Sequence, residues 1–488
     1  MQDDLPLALY SAAQVRKLDR ISIEEHHIPG YELMSRAGRS VFDQVRKFYP
    51  EAASYAVFCG AGNNAGDGYV IARLAITTGI EVTVYTVADV ARLKGDALKA
   101  YQDYLAAGGK VVAFGGDALI NQSVLIDSLL GTGLDRSVEG LYAEAIAVIN
   151  ACSVPTVAVD IPSGLNADTG KVMGCAVKAD LTLSFIGLKK GLFTGDAPEY
   201  CGRIHYASLD VPEIVFTKID CAAWRVSYRR PPPRHRCAHK GQHGRLLIIG
   251  GDLGYSGAIR MTGEAALRVG AGLVTAATRP EHAGFINMTR PELMCRGISE
   301  SGQVQQLIER ADVIALGPGL GRSDWSKMIF EAAIQAAKPI VVDADGLNWV
   351  AESAHFGERF ILTPHPGEAA RLLKCSVAEI ECDRFAAADA IRLKYGGICV
   401  LKGAGTLIAT ADAISVSDVG NPGMASGGMG DVLTGVIAGL LAQGFSLRDS
   451  AEQGVFIHGS AADKAATDGG ERGLLASDLM PYLRRLVN

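Results

Sequence analysis

Tyr55-Ala56-Val57-Phe58-Cys59-Gly60-Ala61-Gly62-Asn63-Asn64-Ala65-Gly66-Asp67-Gly68-Tyr69 is the stretch that decides the fold. An apolar run passes straight into a glycine-punctuated polar turn, and helical spacing follows over Tyr69–Thr78. Glycines permit a tight turn and let backbone N–H groups face an anion at the helix N-terminus. Gly60-x-Gly62-x-x-Ala65 fits the relaxed dinucleotide fingerprint. A dehydrogenase would close its second strand with an acid that holds a ribose. Here that strand ends in Tyr85-Thr86-Val87, and Asp89 arrives late. The Asn63-Asn64 and Asp67-Gly68 pairs are also foreign to a dehydrogenase loop.

Outward from this turn, strand and helix alternate. Apolar runs at Tyr55–Cys59, Val82–Thr86, Val111–Phe114, Val124–Asp127, Val157–Asp160 and Leu181–Phe185 read as buried parallel strands. Helical spacing separates several of them, as at Tyr142–Ala151. A leading helix is predicted over Ser11–His26 with Ser11 as N-cap. The pattern predicts a doubly wound, Rossmann-like parallel sheet.

Polar groups sit at the strand ends. Asp127 precedes Gly131-Thr132-Gly133, and Asp160 opens Asp160-Ile161-Pro162-Ser163-Gly164. In open α/β sheets ligands bind at this carboxyl edge. Oxygen donors from Asn64, Asp127 and Ser163 suit a hard cation. Either aspartate could instead cap the following helix.

Gly62-Asn63-Asn64-x-Gly66-Asp67-Gly68, Asp127 before Gly131-Thr132-Gly133, Asp160–Gly164 and Phe185-Ile186-Gly187-Leu188-Lys189-Lys190-Gly191-Leu192 resemble the NAD(P)H-hydrate epimerase family over residues 10–215. The resemblance implies a potassium ion held by Asn64, Asp127 and Ser163. It implies substrate contacts at Asn63, Asn64, Ala65, Gly66 and Asp67, along Gly131, Thr132, Gly133, Leu134, Asp135, Arg136 and Ser137, and at Asp160. Asp160 is the candidate catalytic proton carrier. Ala65 departs from the family's usual third glycine, which bears on the shape of the loop.

Arg229-Arg230-Pro231-Pro232-Pro233-Arg234-His235-Arg236 breaks the composition. Three successive prolines stop helix and strand and favour an extended chain. We place an N-terminal domain at 1–225, a linker at 226–236 and a C-terminal domain at 237–488. Strands are predicted in the second half at Leu246–Gly250, Leu273–Thr278, Val313–Leu316, Ile340–Val342, Phe360–Leu362, Cys399–Lys402 and Thr406–Ala409. Helices are predicted at Ser256–Val269, Ser326–Ala337, Gly367–Leu373, Ser376–Tyr395 and Asp431–Leu441.

Asn421-Pro422-Gly423-Met424-Ala425-Ser426-Gly427-Gly428-Met429-Gly430-Asp431 leads into that last helix. Backbone amides of Gly428, Met429 and Gly430 can converge on a transferring phosphoryl group. Asp431 can take a hydroxyl proton as general base. Leu401-Lys402-Gly403-Ala404-Gly405-Thr406 reads either as a hairpin turn or as a nucleotide wrap. His365 stands between Pro364 and Pro366; Asp343 and Asp345, at a strand end, could serve magnesium or cap a loop.

Together, Gly427–Asp431 and His365-Pro366-Gly367-Glu368 resemble the ADP/ATP-dependent NAD(P)H-hydrate dehydratase family, a branch of the ribokinase-like α/β fold, over about residues 235–488. The resemblance implies substrate contacts at Ala258, Gly319, His365 and Asp431. It implies adenine-nucleotide contacts at Lys402, Gly403, Ala404, Gly405, Thr406 and Gly430, with magnesium accompanying ADP or ATP. The order of the halves is similar to that of bifunctional repair enzymes. These would epimerise the R and S hydrates of NADH and NADPH, then dehydrate the S hydrate through a phosphorylated intermediate. Two alternatives are a kinase releasing a stable phosphorylated alcohol and a first half that serves as a non-catalytic binding module.

Composition narrows the partners. The chain has 47 Lys+Arg against 53 Asp+Glu, a balance without the basic footprint of a nucleic-acid or membrane binder. Its ten cysteines form no CxxC, so neither a zinc site nor a disulfide framework is expected. The acidic start predicts no secretory signal. A cytoplasmic homo-oligomer acting on small molecules is the expectation.

Overall fold

The computed structural model describes residues 5–116, 120–352 and 356–488, in two compact units, Met1–Trp224 and Arg225–Asn488. The acidic start read for targeting falls largely on residues 1–4, outside the described residues.

In the first unit the main sheet comprises β1 (Ser54–Cys59), β2 (Glu81–Thr86), β3 (Val111–Ala113), β4 (Val124–Ser128), β5 (Thr156–Val159), β6 (Leu181–Phe185) and β7 (Arg203–Ala207). Their order is β3-β2-β1-β4-β5-β6-β7, parallel throughout. The order reverses direction between β1 and β4, which opens a crevice at their carboxyl ends. β4, β5 and β6 are buried along their whole length, as expected of strands covered on both faces. The sequence reading missed β7, whose Arg-Ile-His-Tyr-Ala run mixes charge into an edge strand.

Helix α1 (Ala12–Glu24) is capped by Ser11, which accepts from Gln14 N while the Gln14 side chain accepts from Ser11 N. Its start is tied down by Asp168, which accepts from Ala12 N at 2.7 Å. The strand Ala8–Tyr10 lies parallel to Leu188–Lys189 and antiparallel to Ala223 and Trp224. Helices α2 (Gly30–Phe48), α3 (Asn63–Thr77), α4 (Gly95–Ala106) and α5 (Leu141–Ala151) complete the layers.

α3 begins six residues before the predicted Tyr69. Its first turns carry asparagine and glycine, poor helix formers, so propensity hides them. Packing requires the glycine at 68: a Cβ there would lie 2.8 Å from Ser128 Cβ on β4.

The second unit contains β8 (Arg245–Ile249), β9 (Leu273–Thr278), β10 (Met294–Gly297), β11 (Val313–Leu316), β12 (Ile340–Val342), β13 (Phe360–Leu362), β14 (Ile398–Leu401), β15 (Thr406–Ala409) and β16 (Ile414–Ser417). The order is β10-β9-β8-β11-β12-β13-β14-β15-β16. Strands β8 to β14 pair in parallel; β15 and β16 are antiparallel additions. The helices that frame the site are α6 (Ser256–Val269), α7 (Pro366–Leu373), α8 (Met429–Ala442) and α9 (Leu447–Gly469). α8 is apolar on nearly every face and is buried beside α6 and α9.

The helix expected over Ser376–Tyr395 is two helices, Val377–Cys382 and Arg384–Tyr395. Asp383 leaves helical geometry and caps the second by accepting from Ala386 N. The proline-rich segment carries no helix or strand, and its flanks belong to the second unit. Val226 is buried in that unit's core, and Arg229 pairs with Asp449 and Glu452. Among the described residues no helix is long and apolar enough to cross a membrane.

Candidate active sites

A cavity of about 1030 Å³ opens at the carboxyl edge of the first sheet. Asn63, Asn64, Asp67, Gly131, Thr132, Gly133, Leu134, Asp135, Arg136, Ser137 and Asp160 all line it. Ala65 and Gly66 do not: they are buried on the packed side of α3. Ala65 is helical, so its methyl group causes no backbone strain.

Asp127 and Ser163 lie beneath this lining and are fully buried. Ser163 Oγ donates to Asp127 Oδ1 at 2.6 Å, and Ser163 N donates to Asp127 Oδ2 at 2.8 Å. Burial pushes the Asp127 carboxyl up to about 6, against the hydrogen bonds it accepts from Ser163 and Leu129. Asn64 Nδ2 donates to the Leu130 carbonyl at 3.0 Å, and that carbonyl oxygen lies 3.1 Å from Ser163 Oγ. Asn64 Oδ1 is buried with no hydrogen-bond partner. An orphaned acceptor beside a carbonyl, a hydroxyl and a carboxylate is the donor chemistry that a hard monovalent cation satisfies.

Asp160 follows β5 with φ 71°, a left-handed conformation that few non-glycine residues adopt. Its Oδ1 accepts from Lys189 Nζ and from Phe185 N. Lys189 is completely buried and also contacts Ser184 Oγ and the Phe185 carbonyl. Two more carboxyl groups face the same space. Asp19 is raised to about 6 by burial and by Asp160, partly offset by Lys189 and Arg16. Asp67 is raised well above the usual range by burial, then by Asp160 and Asp19. The sequence reading did not single out Asp19 or the role of Lys189. Asp19 looks like any surface acid on an amphipathic helix, and Lys189 is one of two adjacent lysines.

In the second unit a buried ion pair organises the site. Lys402 Nζ donates to Asp343 Oδ1 at 2.7 Å and lies 3.6 Å from Glu368 Oε2. Thr363 and Thr434 hydroxyls donate to the Asp343 carboxylate at 2.8 Å each. Burial opposes the charge on Asp343, but Lys402 and the two hydroxyls outweigh it and hold the carboxyl below its usual range. Asp345 is engaged otherwise, accepting from Gly321 N and Asn348 Nδ2.

α8 starts immediately above this pair. Gly428 sits at φ 89°, which a side chain would strain, and turns the chain into the helix. A Cβ built on Gly430 would lie 3.3 Å from Lys402 Nζ. Asp431, in the first turn, is pushed up to about 7 by burial and by Asp343, with Lys402 opposing and Asp345 and Glu368 adding. His458, on α9, is buried beneath Met429 with Nε2 unpartnered, and burial and Lys402 push its pKa down to about 4.

The remaining predicted residues are placed as follows. His365 caps α7, its Nδ1 accepting from Gly367 N at 3.0 Å, and its Nε2 lies 3.5 Å from Glu368 Oε1. A Cβ built on Gly319 would lie 3.1 Å from Ala258 Cβ, so the loop after β11 meets the first turn of α6. Lys402, Gly403, Ala404 and Gly405 form the β14–β15 turn, and Thr406 opens β15. Buried Arg384 braces that turn by donating to the carbonyls of Leu401 and Lys402. Arg384, Thr434 and His458 went unread because each lies within a helix, and Thr363 because it is a single hydroxyl just past a short apolar strand.

A family model described as NAD(P)H-hydrate dehydratase matches residues 246–485, and one described as YjeF-related protein N-terminus matches residues 30–191. A bifunctional NAD(P)H-hydrate repair enzyme from Coxiella burnetii is 48% identical over 98% of this chain and 99% of that protein. The chain belongs to the bifunctional NAD(P)H-hydrate repair enzyme family.

The Escherichia coli member is 45% identical over 99% of this chain and 95% of its own length. An ADP/ATP-dependent NAD(P)H-hydrate dehydratase from Bacillus subtilis, co-crystallised with ATP and Mg2+, aligns with a TM-score of 0.48 at 29% identity, over 53% of this chain and 93% of that one. The first unit is the family's epimerase domain and the second its dehydratase domain, an α/β unit.

Proposed function

We propose that Asp431 is the general base of nucleotide-dependent dehydration. The observation that carries this reading is the position of its carboxyl: first turn of α8, poised near neutral, above the Lys402–Asp343 pair. The hydroxyl of the S hydrate would lose its proton to Asp431 while its oxygen attacks the terminal phosphoryl group of ADP or ATP. Phosphate is a far better leaving group than hydroxide. Its departure with the C–O electron pair, and loss of the neighbouring ring-carbon proton, restore the dihydronicotinamide. The amides of Gly428, Met429 and Gly430 would stabilise the phosphoryl charge. Lys402 to Thr406 would border the nucleotide. Ala258, Gly319 and His365 would border the hydrated ring.

In the first unit Asp160 would carry the proton during epimerisation. Asn64, Asp127 and Ser163, with the Leu130 carbonyl, would hold a potassium ion. Such an ion supplies fixed positive charge under the Gly131–Ser137 loop. The guanidinium of Arg136 would meet the substrate's pyrophosphate.

The test is near-UV absorbance recovery from a mixed-epimer NADH-hydrate sample, with ADP, with ATP and with no nucleotide. Complete nucleotide-dependent recovery is expected from the native chain. Asp431→Asn should keep epimerisation and lose dehydration; normal turnover by that variant would overturn the assignment. A lasting phosphorylated product would instead favour the kinase reading.

A further inference from the structure

We infer that Asp19 is a second catalytic acid–base group of the epimerase, working opposite Asp160 across the hydrated ring. This rests on the reading of Asp160 given above. The geometry starts with α1. Its Val15 and Leu18 pack on the segment that carries Lys189: a Cβ built on Gly187 would lie 3.1 Å from Val15 Cγ2 and 3.3 Å from Leu18 Cδ1. The adjoining face of the helix borders the cavity, where Val15, Arg16 and Asp19 all join its lining. Arg16 reaches the Thr132 carbonyl at 3.4 Å, so α1 also touches the Gly131–Ser137 loop.

Other carboxyl groups line the cavity, Asp67, Asp96, Asp135 and Glu139 among them; of these Asp67 shares the Asp160–Lys189 neighbourhood, and burial pushes it well above the usual range. Asp127 lies beneath the floor, bonded to Ser163 and Leu129. Asp160 is held by Lys189 and Phe185 N. Asp19 lines the cavity and has no hydrogen bond or ion pair with any described residue. A half-buried carboxyl without a protein partner, at a substrate cavity, is a group kept available for the ligand. The charged and titratable groups facing it are Arg16 on its own helix, Lys189 and Asp160 beneath, and Asp67 on α3. Burial and Asp160 raise its pKa to about 6, which leaves a proton to give near neutral pH.

The chemistry needs two such groups. The hydrated carbon bears a hydroxyl and the ring nitrogen, and it inverts only if one of those bonds breaks and re-forms. Asp160 takes the hydroxyl proton and the oxygen's electron pair forms the carbonyl. The C–N pair moves onto the ring nitrogen, which receives the proton of Asp19. Rotation about the adjacent C–C bond presents the other face of the aldehyde. The two transfers then reverse: nitrogen returns its proton to Asp19, and the new hydroxyl takes one from Asp160. Protons and electrons balance with no added reagent.

The experiment compares Asp19→Asn, Asp19→Glu and Asp160→Asn in the full chain. It follows interconversion of isolated R and S NADH hydrate without nucleotide. ADP- or ATP-dependent dehydration of the S hydrate and the melting curve report on chain integrity. We expect Asp19→Asn to lower epimerisation kcat by about 10²-fold or more, with KM within about threefold. Dehydration should be unchanged and Asp19→Glu should restore part of the rate. In the native chain epimerisation should fall as pH rises through about 6, and this limb should be missing in Asp19→Asn. The inference is overturned, with the Asp160 reading intact, if Asp19→Asn epimerises normally while Asp160→Asn does not. It is also overturned if the loss in Asp19→Asn tracks a raised KM or a lowered melting point. Normal epimerisation by both asparagine variants overturns both readings.

Discussion

Each unit builds its site on a buried lysine–aspartate pair at the carboxyl end of a parallel sheet, but the two pairs present opposite charges. In the first unit Lys189 is fully enclosed, while the Asp160 side chain keeps 17% exposure toward the cavity. In the second, Asp343 is enclosed at 2% and Lys402 keeps 18%. A sheet edge that offers a carboxylate suits proton transfer at carbon-bound heteroatoms. One that offers an ammonium suits a phosphoryl donor. On the proposed roles, the same ion pair, turned over, would divide the labour between epimerisation and phosphoryl transfer. In each case a second, perturbed carboxyl stands beside the pair: Asp19 in the first unit, Asp431 in the second.

The sharpest way to break this comparison is Asp431→Asn. Dehydration should fall by about 10²–10⁴-fold, while R–S interconversion continues at the native rate. A parallel loss of both activities would mean that the two centres are not independent.

Removing the lysines comes next. Lys402→Met leaves Asp343 charged, enclosed and uncompensated, which should cost about 3–5 kcal/mol and melt the second unit first. Lys189→Met should destabilise less, because Asp160 can turn its charge toward water in the cavity. Calorimetry of the two variants tests the asymmetry, and equal losses would refute it.

pH separates the two roles of Asp431. A base must be deprotonated, so dehydration should rise through about pH 7. Stability runs the other way. The folded-state pKa lies above the unfolded value near 3.9, so the unfolded state binds fewer protons between them and stability falls as pH rises through that window. Asp431→Asn should therefore melt higher than the native chain at pH 8, and nearly with it at pH 4.

A smaller effect is expected from Ser163→Ala, which removes one proposed cation ligand and the hydroxyl donor to Asp127. Potassium should then stimulate epimerisation less, and dehydration of the S hydrate should not respond. Smallest of all, Ser11→Ala deletes a single helix cap and should cost about 1 kcal/mol. Because that cap anchors the helix bearing Asp19, epimerisation should fall before dehydration does as the variant is warmed.

The architecture was largely legible in the chain. Fully buried parallel strands such as Leu181–Phe185 read as apolar runs, and Ser11, Gly60–Gly68 and Gly427–Asp431 punctuate the elements they start. Gly428 announces itself because its positive φ favours glycine, and Gly430 because a side chain there would crowd Lys402. The pattern hid strand β7, whose mixed composition suits an edge, and the break at Asp383, where one capping side chain competes with an otherwise continuous helix; strands β10 and β16 and helices α2, α4 and α9 also went unread.

By itself, then, the sequence determined two α/β units and the loops where chemistry sits, because burial and turn geometry are local demands on residue type. Only the tertiary structure decided which charges meet. Lys189 and Asp160 are 29 positions apart, Lys402 and Asp343 are 59 apart, and Asp19 joins the cavity of Asp160 from helix α1. Electrostatic interaction depends on distance in space and on the solvent excluded around the pair, and neither is written in spacing along the chain.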